Sequence, residues 1–311
     1  MGLYLGIDTS NYTTSAAIYD SNYKRIINCK KLLPVENGEV GLMQSKALFN
    51  HIKQLPEVIE SAFSQVDNAD ISAVCVSSRP RNVDGSYMPV FLSGVAAAEA
   101  IASSHRVKCY KSAHQVGHIL AALFSADRLD LINQPFYAFH ISGGTTECLL
   151  VTPDDKNIIN CEVVAKSLDL KAGQAIDRIG VKMGLSFPAG AELDKLSKSG
   201  NLTKKPKITL KGCDCCLSGL QNICENMLFS GEKNEDVARY IFEYLYLVIS
   251  KMSEKVVAEY GEKPFLYAGG VMSNSIISKR LNESGGIFAK PEFSSDNAAG
   301  IALAGYLMDS D

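Results

Sequence analysis

The alternation of apolar and polar positions near the start of the chain predicts a β-hairpin followed by a helix. Residues 3–8 are an apolar run, residues 9–12 are polar, and residues 13–19 are small and β-branched, as expected for two strands joined by a tight turn. Residues 43–63 carry apolar side chains at helical spacing, and Pro56 is expected to interrupt that helix. The elements predicted next are a buried strand at 71–76, a loop at 79–85 and a small-residue helix at 89–102.

A second hairpin pattern in the middle of the chain matches the first. Residues 136–142 and 146–152 read as strands on either side of Gly143-Gly144. The polar tip Ser142-Gly143-Gly144-Thr145-Thr146 corresponds to Ser10-Asn11-Tyr12-Thr13-Thr14. This match suggests an internal duplication with two phosphate-facing turns. Chance similarity stays open at this point, because Ser and Thr are common in turns.

A third glycine turn follows the predicted strand at 265–268. Gly269-Gly270 lies between that strand and a predicted helix that begins near Asn274. Glycine has no Cβ, so a ligand can approach such a backbone closely, although a plain strand-to-helix connection uses the same residues.

The composition narrows the class of protein. With 311 residues, of which 46% are hydrophobic and 21% charged, the chain should fold as two packed α/β halves. Its net charge of −3 gives no overall basic field, so any RNA contact must be a local patch. Nine irregularly spaced cysteines fit reduced thiols, and we find neither a signal peptide nor an apolar run of transmembrane length. We therefore expect a cytoplasmic protein with no membrane association.

The most specific local feature is a pair of histidines one helical turn apart. The chain has five histidines, and His114 and His118 lie at the spacing that lets two imidazoles meet on one metal ion. Asp296, where a C-terminal helix should begin, is a candidate third ligand, although Asp is also a favoured helix N-cap. An ordinary surface or capping role for the histidines is the alternative. A zincin-type protease is disfavoured because Gln115 replaces the glutamate that would activate water.

Seven short motifs occur along the chain in a fixed order: Asp8-Thr9-Ser10, His114-x-x-x-His118, Ser142-Gly143-Gly144, Ala172-Gly173-Gln174-Ala175-Ile176-Asp177, Ser218-Gly219-Leu220, Gly269-Gly270-Val271-x-x-Asn274 and Asp296-Asn297. This order covers nearly the whole chain and resembles the TsaD family, also called Gcp. The resemblance implies a duplicated actin-like, hexokinase-like ATPase α/β fold with two domains around a nucleotide cleft. We accordingly expect an N-terminal actin-like subdomain at 1–110 and a C-terminal one at 111–311 that carries the metal and nucleotide site, with the last helix packing back on the first.

The resemblance also implies an activity. Bacterial members of the family transfer a threonylcarbamoyl group from an adenylate to an adenosine of tRNA beside the anticodon. By resemblance, His114, His118 and Asp296 would bind one divalent metal, iron or zinc, and the second cofactor would be ATP, AMP or an acyl-adenylate. Asp8 and Ser10 are candidates for a catalytic role. The residues implied in holding the nucleotide or substrate are His140, Ile141, Ser142, Gly143, Gly144, Asp177, Gly190, Asp194, Gly269, Gly270 and Asn274.

The implied partners are tRNA and TsaB-like and TsaE-like subunits, and either a homodimer or a heterodimer is open. Elementary chemistry supports these implied roles: Asp177 can accept from ribose hydroxyls, and Gly143 and Gly144 expose backbone N–H groups for phosphate or carbamoyl oxygens. A metal opposite them would polarise the acyl oxygen.

Three departures from the family pattern concern the acceptor side. Family members usually carry a cysteine and two acids where this chain has Asn11, Tyr12 and Thr13, and a histidine where it has Thr145. The usual Gly-Pro-Gly loop is replaced by residues 79–84, which bring two arginines. These changes favour a divergent paralogue that either transfers to another acceptor or binds nucleotide as a scaffold. The metal-ligand candidates, which a scaffold does not need, favour an enzyme.

Two further interpretations concern residues outside these motifs. His51 is expected to be a surface or interface residue. Cys213, Cys215 and Cys216 are spaced too tightly for a zinc knuckle, which favours a structural role over metal or redox chemistry.

Overall fold

The structure is a computed structural model and describes residues 2–10, 12–34, 43–67, 70–294 and 297–310. It divides into two compact units. Unit 1 comprises Met1–Gln134, Thr152–Cys161 and Glu292–Asp311, and unit 2 comprises Pro135–Val151 and Glu162–Pro291. These units are defined by compactness, whereas the predicted boundary between residues 110 and 111 separates two subdomains. That boundary stays a prediction. No helix among the described residues is long and apolar enough to cross a membrane.

A five-stranded sheet forms the centre of unit 1. Its strands are β1 (Leu3–Asp8), β2 (Thr13–Asp20), β3 (Arg25–Leu32), β4 (Ile71–Arg79) and β5 (Lys108–Ala113), in the order β3-β2-β1-β4-β5. The β1–β2 and β2–β3 pairs are antiparallel, and the β1–β4 and β4–β5 pairs are parallel. The helices of this unit are α1 (Gln44–Phe63), α2 (Phe91–His105), α3 (His114–Ser125) and, at the end of the chain, α9 (Ala299–Ser310).

Unit 2 is built on a second five-stranded sheet. Its strands are β6 (Phe136–Ile141), β7 (Thr146–Asp154), β8 (Ile158–Lys166), β11 (Phe265–Ala268) and β12 (Ile287–Phe288), and the short pair β9 (Leu210–Lys211) and β10 (Asp214–Cys215) lies outside it. The helices are α4 (Ala172–Lys182), α5 (Gly190–Ser197), α6 (Ser218–Phe229), α7 (Asn234–Tyr260) and α8 (Ser275–Glu283). The outer ends of β7 and β8, residues 152–161, are grouped with unit 1.

The two sheets share one topology. Reading from the outer hairpin strand, the order is β3-β2-β1-β4-β5 in the first sheet and β8-β7-β6-β11-β12 in the second. In both, the first strand pairs antiparallel with the second and parallel with the strand that follows a helical crossover. The shared order supports the duplication that the two hairpin tips suggested, and the α/β fold agrees with the actin-like expectation.

Local pattern explains most of these elements. Strands β1 and β2 are buried along their whole length, which agrees with their apolar and small residues. Strand β3 has no buried residue and alternates weakly, so the pattern of its residues does not predict it. Helix α1 runs without interruption through Pro56, contrary to the prediction, because its burial against the sheet outweighs the lost backbone hydrogen bond.

His51 is buried rather than exposed, which corrects the surface interpretation. Its side chain has 0% exposure, and its Nδ1 lies 2.8 Å from the Thr14 hydroxyl of β2. The Thr14 hydroxyl also donates to Gln54 Oε1 at 2.8 Å. This polar cluster satisfies groups that would otherwise be costly to bury between α1 and the sheet.

Helix α3 is held close to α9 by two small residues. A Cβ built on Gly300 would lie 1.9 Å from the Gly117 carbonyl oxygen, a distance that no side chain permits. Glycine at this crossing therefore lets the two backbones touch. The contact fixes the helix that carries both His114 and His118.

Candidate functional site

Asp8 is the centre of a polar cluster at the carboxyl edge of the first sheet. It ends β1, Ser77 lies near the end of β4, and His114 begins α3 directly after β5. Because these three strands are parallel, their carboxyl ends meet at one edge, which brings together residues far apart in sequence. The cluster is thus a product of sheet topology.

The Asp8 carboxylate is completely buried, and both of its oxygens accept hydrogen bonds from neighbouring side chains. Ser10 Oγ donates to Oδ2 at 2.6 Å, Ser77 Oγ donates to Oδ1, and His114 Nδ1 lies 3.2 Å from the carboxylate. Burial raises the pKa of Asp8, but the His114 ring and the hydrogen bonds outweigh it, so that the pKa lies below its ordinary value. An ionised carboxylate at Nδ1 fixes the orientation of the His114 ring.

The other nitrogen of His114 is directed at His118. The two Nε2 atoms are 2.8 Å apart, and the ring centroids are 4.3 Å apart. A neutral imidazole donates its lone pair to a metal through the nitrogen that carries no proton, and a carboxylate on the opposite nitrogen is the usual support for such a ligand. The donor set and its orientation therefore fit a divalent metal.

The third predicted ligand, Asp296, lies outside the described residues. In the part of the chain that the structure describes, no group of three His, Cys, Asp or Glu side chains is arranged to hold a metal ion. Asp8 contacts Nδ1 of His114, which makes it a positioning residue for the ring rather than a ligand on the Nε2 side. Ser10, the other catalytic candidate, is buried, and its hydroxyl donates a hydrogen bond to Asp8.

Unit 2 contains a pocket of about 520 Å³. The predicted nucleotide residues among those that line it are Gly143, Asp177, Gly190, Asp194, Gly270 and Asn274. His140 and Ile141 lie at the end of β6, shortly before Gly143. Ser142 and Gly144 flank Gly143, and Gly269 precedes Gly270. The structure thus brings residues from three of the seven motifs, together with Gly190 and Asp194, into one pocket and its supporting turns.

Backbone-to-backbone packing builds one wall of this pocket. A Cβ on Gly173 would lie 2.6 Å from Gly143 Cα, so the first turn of α4 can lie against the β6–β7 turn only with glycine there. Gly173 N also donates to the Ser142 carbonyl at 3.2 Å. Gly173 belongs to a predicted motif but was not predicted as a site residue, because close backbone approach leaves no local sequence pattern.

The turn itself is held by Ser142. Its hydroxyl accepts from the backbone N–H groups of Gly144 and Thr145 at 3.3 and 3.2 Å. The N–H of Gly144 is therefore directed at Ser142, and the binding of phosphate by the N–H groups of this turn stays a prediction. Cβ positions on Gly143 and Gly144 would both meet open space.

Two carboxyl groups of the pocket have different structural tasks. Asp177 accepts from the Ala189 N–H at 2.9 Å, and burial raises its pKa. Asp194 Oδ1 accepts from Ser275 N and Oγ, both at 2.9 Å, and from Asn274 Nδ2. Asp194 thereby ties α5 to the start of α8, and its other oxygen lies 3.2 Å from Lys198 Nζ.

Asn274 is the N-cap of α8. Its side-chain oxygen accepts from the N–H groups of Ile276 and Ile277, each at 3.1 Å. Asn is among the best N-cap residues because it satisfies donors at the free end of the helix. Lys195, Lys198 and Pro188 also line the pocket and were not predicted, since exposed lysines and a loop proline carry no distinctive signal.

The departures from the family pattern are placed as follows. Tyr12 is 36% exposed and Thr13 is buried, whereas Asn11 lies outside the described residues. Arg79 donates to Asn82 Oδ1 at 2.7 and 3.1 Å and to Asn157 Oδ1 at 3.4 Å. This guanidinium is therefore engaged with its own loop and with Asn157 in the turn between β7 and β8.

Two of the three clustered cysteines, Cys213 and Cys215, have no features of a reactive site. Burial raises the pKa of Cys213 and of Cys215 to about 11, and Cys213 Sγ also donates to Glu259 at 3.3 Å. Thiols with raised pKa values are poor nucleophiles and poor metal ligands at neutral pH. Their contacts agree with the structural interpretation.

Comparison with known proteins identifies the family. The sequence profile of TsaD, tRNA N6-adenosine threonylcarbamoyltransferase, matches residues 34–303. The enzyme of that name from Ligilactobacillus salivarius is 32% identical over 98% of this chain and 91% of its own length. The chain belongs to the TsaD family. Its namesake from Thermosipho africanus is 30% identical over 98% of this chain and 94% of its own.

Solved structures with low identity share the fold. HypF from T. kodakarensis superposes with a TM-score of 0.62 at 14% identity, and the match covers 99% of this chain and 48% of HypF. A ROK family glucokinase from Streptomyces griseus gives 0.53 at 14% identity, with full coverage of both chains. These neighbours confirm the actin-like, hexokinase-like fold that the family resemblance implied.

Proposed function

We propose that this chain transfers a threonylcarbamoyl group from an acyl-adenylate to an adenosine of tRNA. Membership of the TsaD family and the similarity to the enzymes from Ligilactobacillus salivarius and Thermosipho africanus support the reaction class. The observation that carries the proposal is the pair of Nε2 atoms of His114 and His118, 2.8 Å apart and oriented by the buried Asp8. A protein that only bound nucleotide would have no physical need for this arrangement.

His114 and His118 would hold the divalent metal, iron or zinc, with Asp296 as the proposed third ligand. When bound, the metal supplies Lewis-acid polarisation of the acyl oxygen. Asp8 holds the His114 ring in the orientation that presents Nε2, and Ser10 and Ser77 hold Asp8 ionised by donating to it. These residues act by positioning and by charge, which suits a transfer that needs no covalent nucleophile.

The pocket of unit 2 would hold the adenylate. The glycine turns at Gly143 and Gly270 leave room for phosphate or carbamoyl oxygens, and Asp177 has an oxygen to accept from ribose hydroxyls. Asp194 and Asn274 hold each other and α8, so their contribution is to keep the pocket wall in place. We further propose TsaB-like and TsaE-like partner subunits and action in the cytoplasm, where the tRNA acceptor is found.

The test is transfer of radiolabelled threonylcarbamoyl to unmodified tRNA, together with metal analysis of the purified protein. The family's helper proteins are added. His114→Ala should lose bound metal and turnover together, because one of two converging ligands is gone. His105→Ala is the matched control, since His105 is exposed at the end of α2 and should change neither quantity.

A second candidate is a divergent paralogue that binds nucleotide as a scaffold or transfers to an acceptor other than tRNA. The Arg79 loop favours it, because this guanidinium is tied to Asn82 and Asn157 where the family has a short glycine loop. Wild-type protein that binds metal and nucleotide but labels no tRNA would favour this candidate. Loss of metal without loss of partner binding in His114→Ala would identify the scaffold.

A further inference from the structure

A second depression in unit 2 lies beside the nucleotide pocket, and the function proposed above does not use it. It has a volume of about 420 Å³ and is lined by Gln174, Arg178, Val181, Lys182, Phe187 and Gln221, with Asp177 shared between the two cavities. We call it the α4 groove. Its volume lies in the range of sites that enclose a small organic group.

The α4 groove has an exposed aromatic face. Phe187 is 75% exposed and Val181 is 53% exposed, so both present apolar surface to a ligand in the groove. Gln174, Arg178 and Lys182 follow one another at four-residue spacing along the outer face of α4. An aromatic ring therefore lies in the same groove as a row of hydrogen-bond donors.

The polar lining is rich in groups that recognise nucleic acid. The guanidinium of Arg178 and the amides of Gln174 and Gln221 can bond base edges or phosphates, and Phe187 offers a surface for stacking. Lys182 is paired with Glu225 of α6 at 2.5 Å, and Gln221 donates to the same carboxylate at 2.7 Å. Among the residues that the structure describes, no carboxylate pairs with Arg178, the other cation of the lining.

We propose that the α4 groove binds an unstacked base of single-stranded RNA next to the nucleotide pocket, with Phe187 as the stacking surface and Arg178 on the neighbouring phosphate. The inference rests on the proposed function, because an acceptor adenosine beside an anticodon lies in a single-stranded loop. A local patch of this kind also fits a chain whose net charge of −3 gives no general attraction for RNA.

The test is equilibrium binding of the full-length protein to a labelled anticodon stem-loop RNA. Phe187→Ala should weaken binding about 5- to 150-fold, the loss expected for one stacked base. Phe187→Tyr should bind like the wild type, because it keeps the ring. Phe229→Ala is the matched control, since Phe229 is 95% exposed but lies at the far end of α6 from Gln221, and it should leave binding unchanged.

Arg178→Gln supplies an independent readout. Loss of one phosphate contact should reduce the slope of log affinity against log salt concentration by about 0.7. Affinity for ATP should be unchanged in all four variants, because none of the three substituted residues lines the nucleotide pocket.

The outcomes separate this proposal from the function on which it rests. Wild-type protein that binds no RNA, or Phe187→Ala that binds as tightly as Phe229→Ala, would overturn the groove assignment even if tRNA is modified. RNA binding that depends on Phe187, with no labelled tRNA formed, would support the groove and overturn the transferase. Equal loss in Phe187→Ala and Phe187→Tyr would also overturn stacking, since the tyrosine ring should substitute. If an apolar dye or a protein occupied the α4 groove and the protein still bound RNA with unchanged affinity, that result would also overturn the groove assignment.

Discussion

The Asp8 cluster of unit 1 and the pocket of unit 2 arise at corresponding places of two sheets with the same topology, yet they are built from different parts of the chain. The first is made of side chains that bond to one another and are buried, except for His114, whose side chain is 19% exposed. The second is made largely of backbone, with glycines where atoms would otherwise block the space. The same sheet topology can therefore hold a buried charged side chain in unit 1 and form an open pocket in unit 2. Removing atoms should damage the first site, and adding atoms should damage the second.

Asp8→Ala should have the largest effect. It leaves His114, Ser10 and Ser77 without their common buried partner, so the free energy of unfolding should fall by about 3–5 kcal/mol. Urea unfolding measures this. Asp8→Asn keeps the shape and should fold, but it should bind metal about 10- to 100-fold more weakly because the His114 ring is no longer held by a carboxylate. Unchanged metal affinity in Asp8→Asn would contradict the positioning role.

Gly173→Ala tests the backbone-built pocket. The new Cβ meets Gly143 Cα at 2.6 Å, so the turn must move, and we expect a loss of about 1–3 kcal/mol in stability together with weaker ATP binding. Calorimetric titration with ATP and thermal unfolding provide the two measurements. Gly144→Ala is the control, because its Cβ would meet open space and should change stability by no more than about 0.5 kcal/mol. Equal effects of the two substitutions would show that packing at Gly173 is not what shapes the wall.

Asn274→Ala should have a smaller effect. It removes the N-cap of α8 and a donor to Asp194, which should lower the free energy of unfolding by about 1 kcal/mol. Chemical denaturation measures the change. Asn282→Ala, at an exposed position of the same helix, is the control and should be nearly neutral. If Asn274→Ala leaves stability unchanged but abolishes ATP binding, Asn274 contacts the ligand rather than supporting the wall.

Asp177→Asn should have the smallest effect on the free energy of unfolding, and that effect should depend on pH. Burial raises the pKa of Asp177 in the folded state, so its proton-bound form stabilises the fold below the unfolded pKa of about 3.9, and that contribution is lost as the pH rises through the folded pKa. Near neutral pH the neutral amide should therefore be slightly more stable than the carboxylate, by up to about 0.5 kcal/mol. Unfolding curves at pH 4 and pH 7 provide the measurement. A difference that does not grow between the two pH values would contradict the shift.

Much of the scaffold followed from local pattern. The β1 and β11 strands span the residues that the apolar runs predict, and α8 starts at the Asn that caps it. These elements depend on neighbours within a few residues, so their signals are contained in short windows of sequence. Strand β3 was missed because an exposed edge carries little apolar periodicity.

The site residues divide in the same way. The His114–His118 spacing was visible because both lie on one turn of α3, and the order of short motifs was enough to identify the family. The burial of His51, the support of His114 by Asp8 across 106 positions and the bond of Asp194 to Asn274 across 80 were decided by tertiary structure alone. Sequence spacing carries no information about which strand ends meet at a sheet edge, because that depends on the order in which the strands pair.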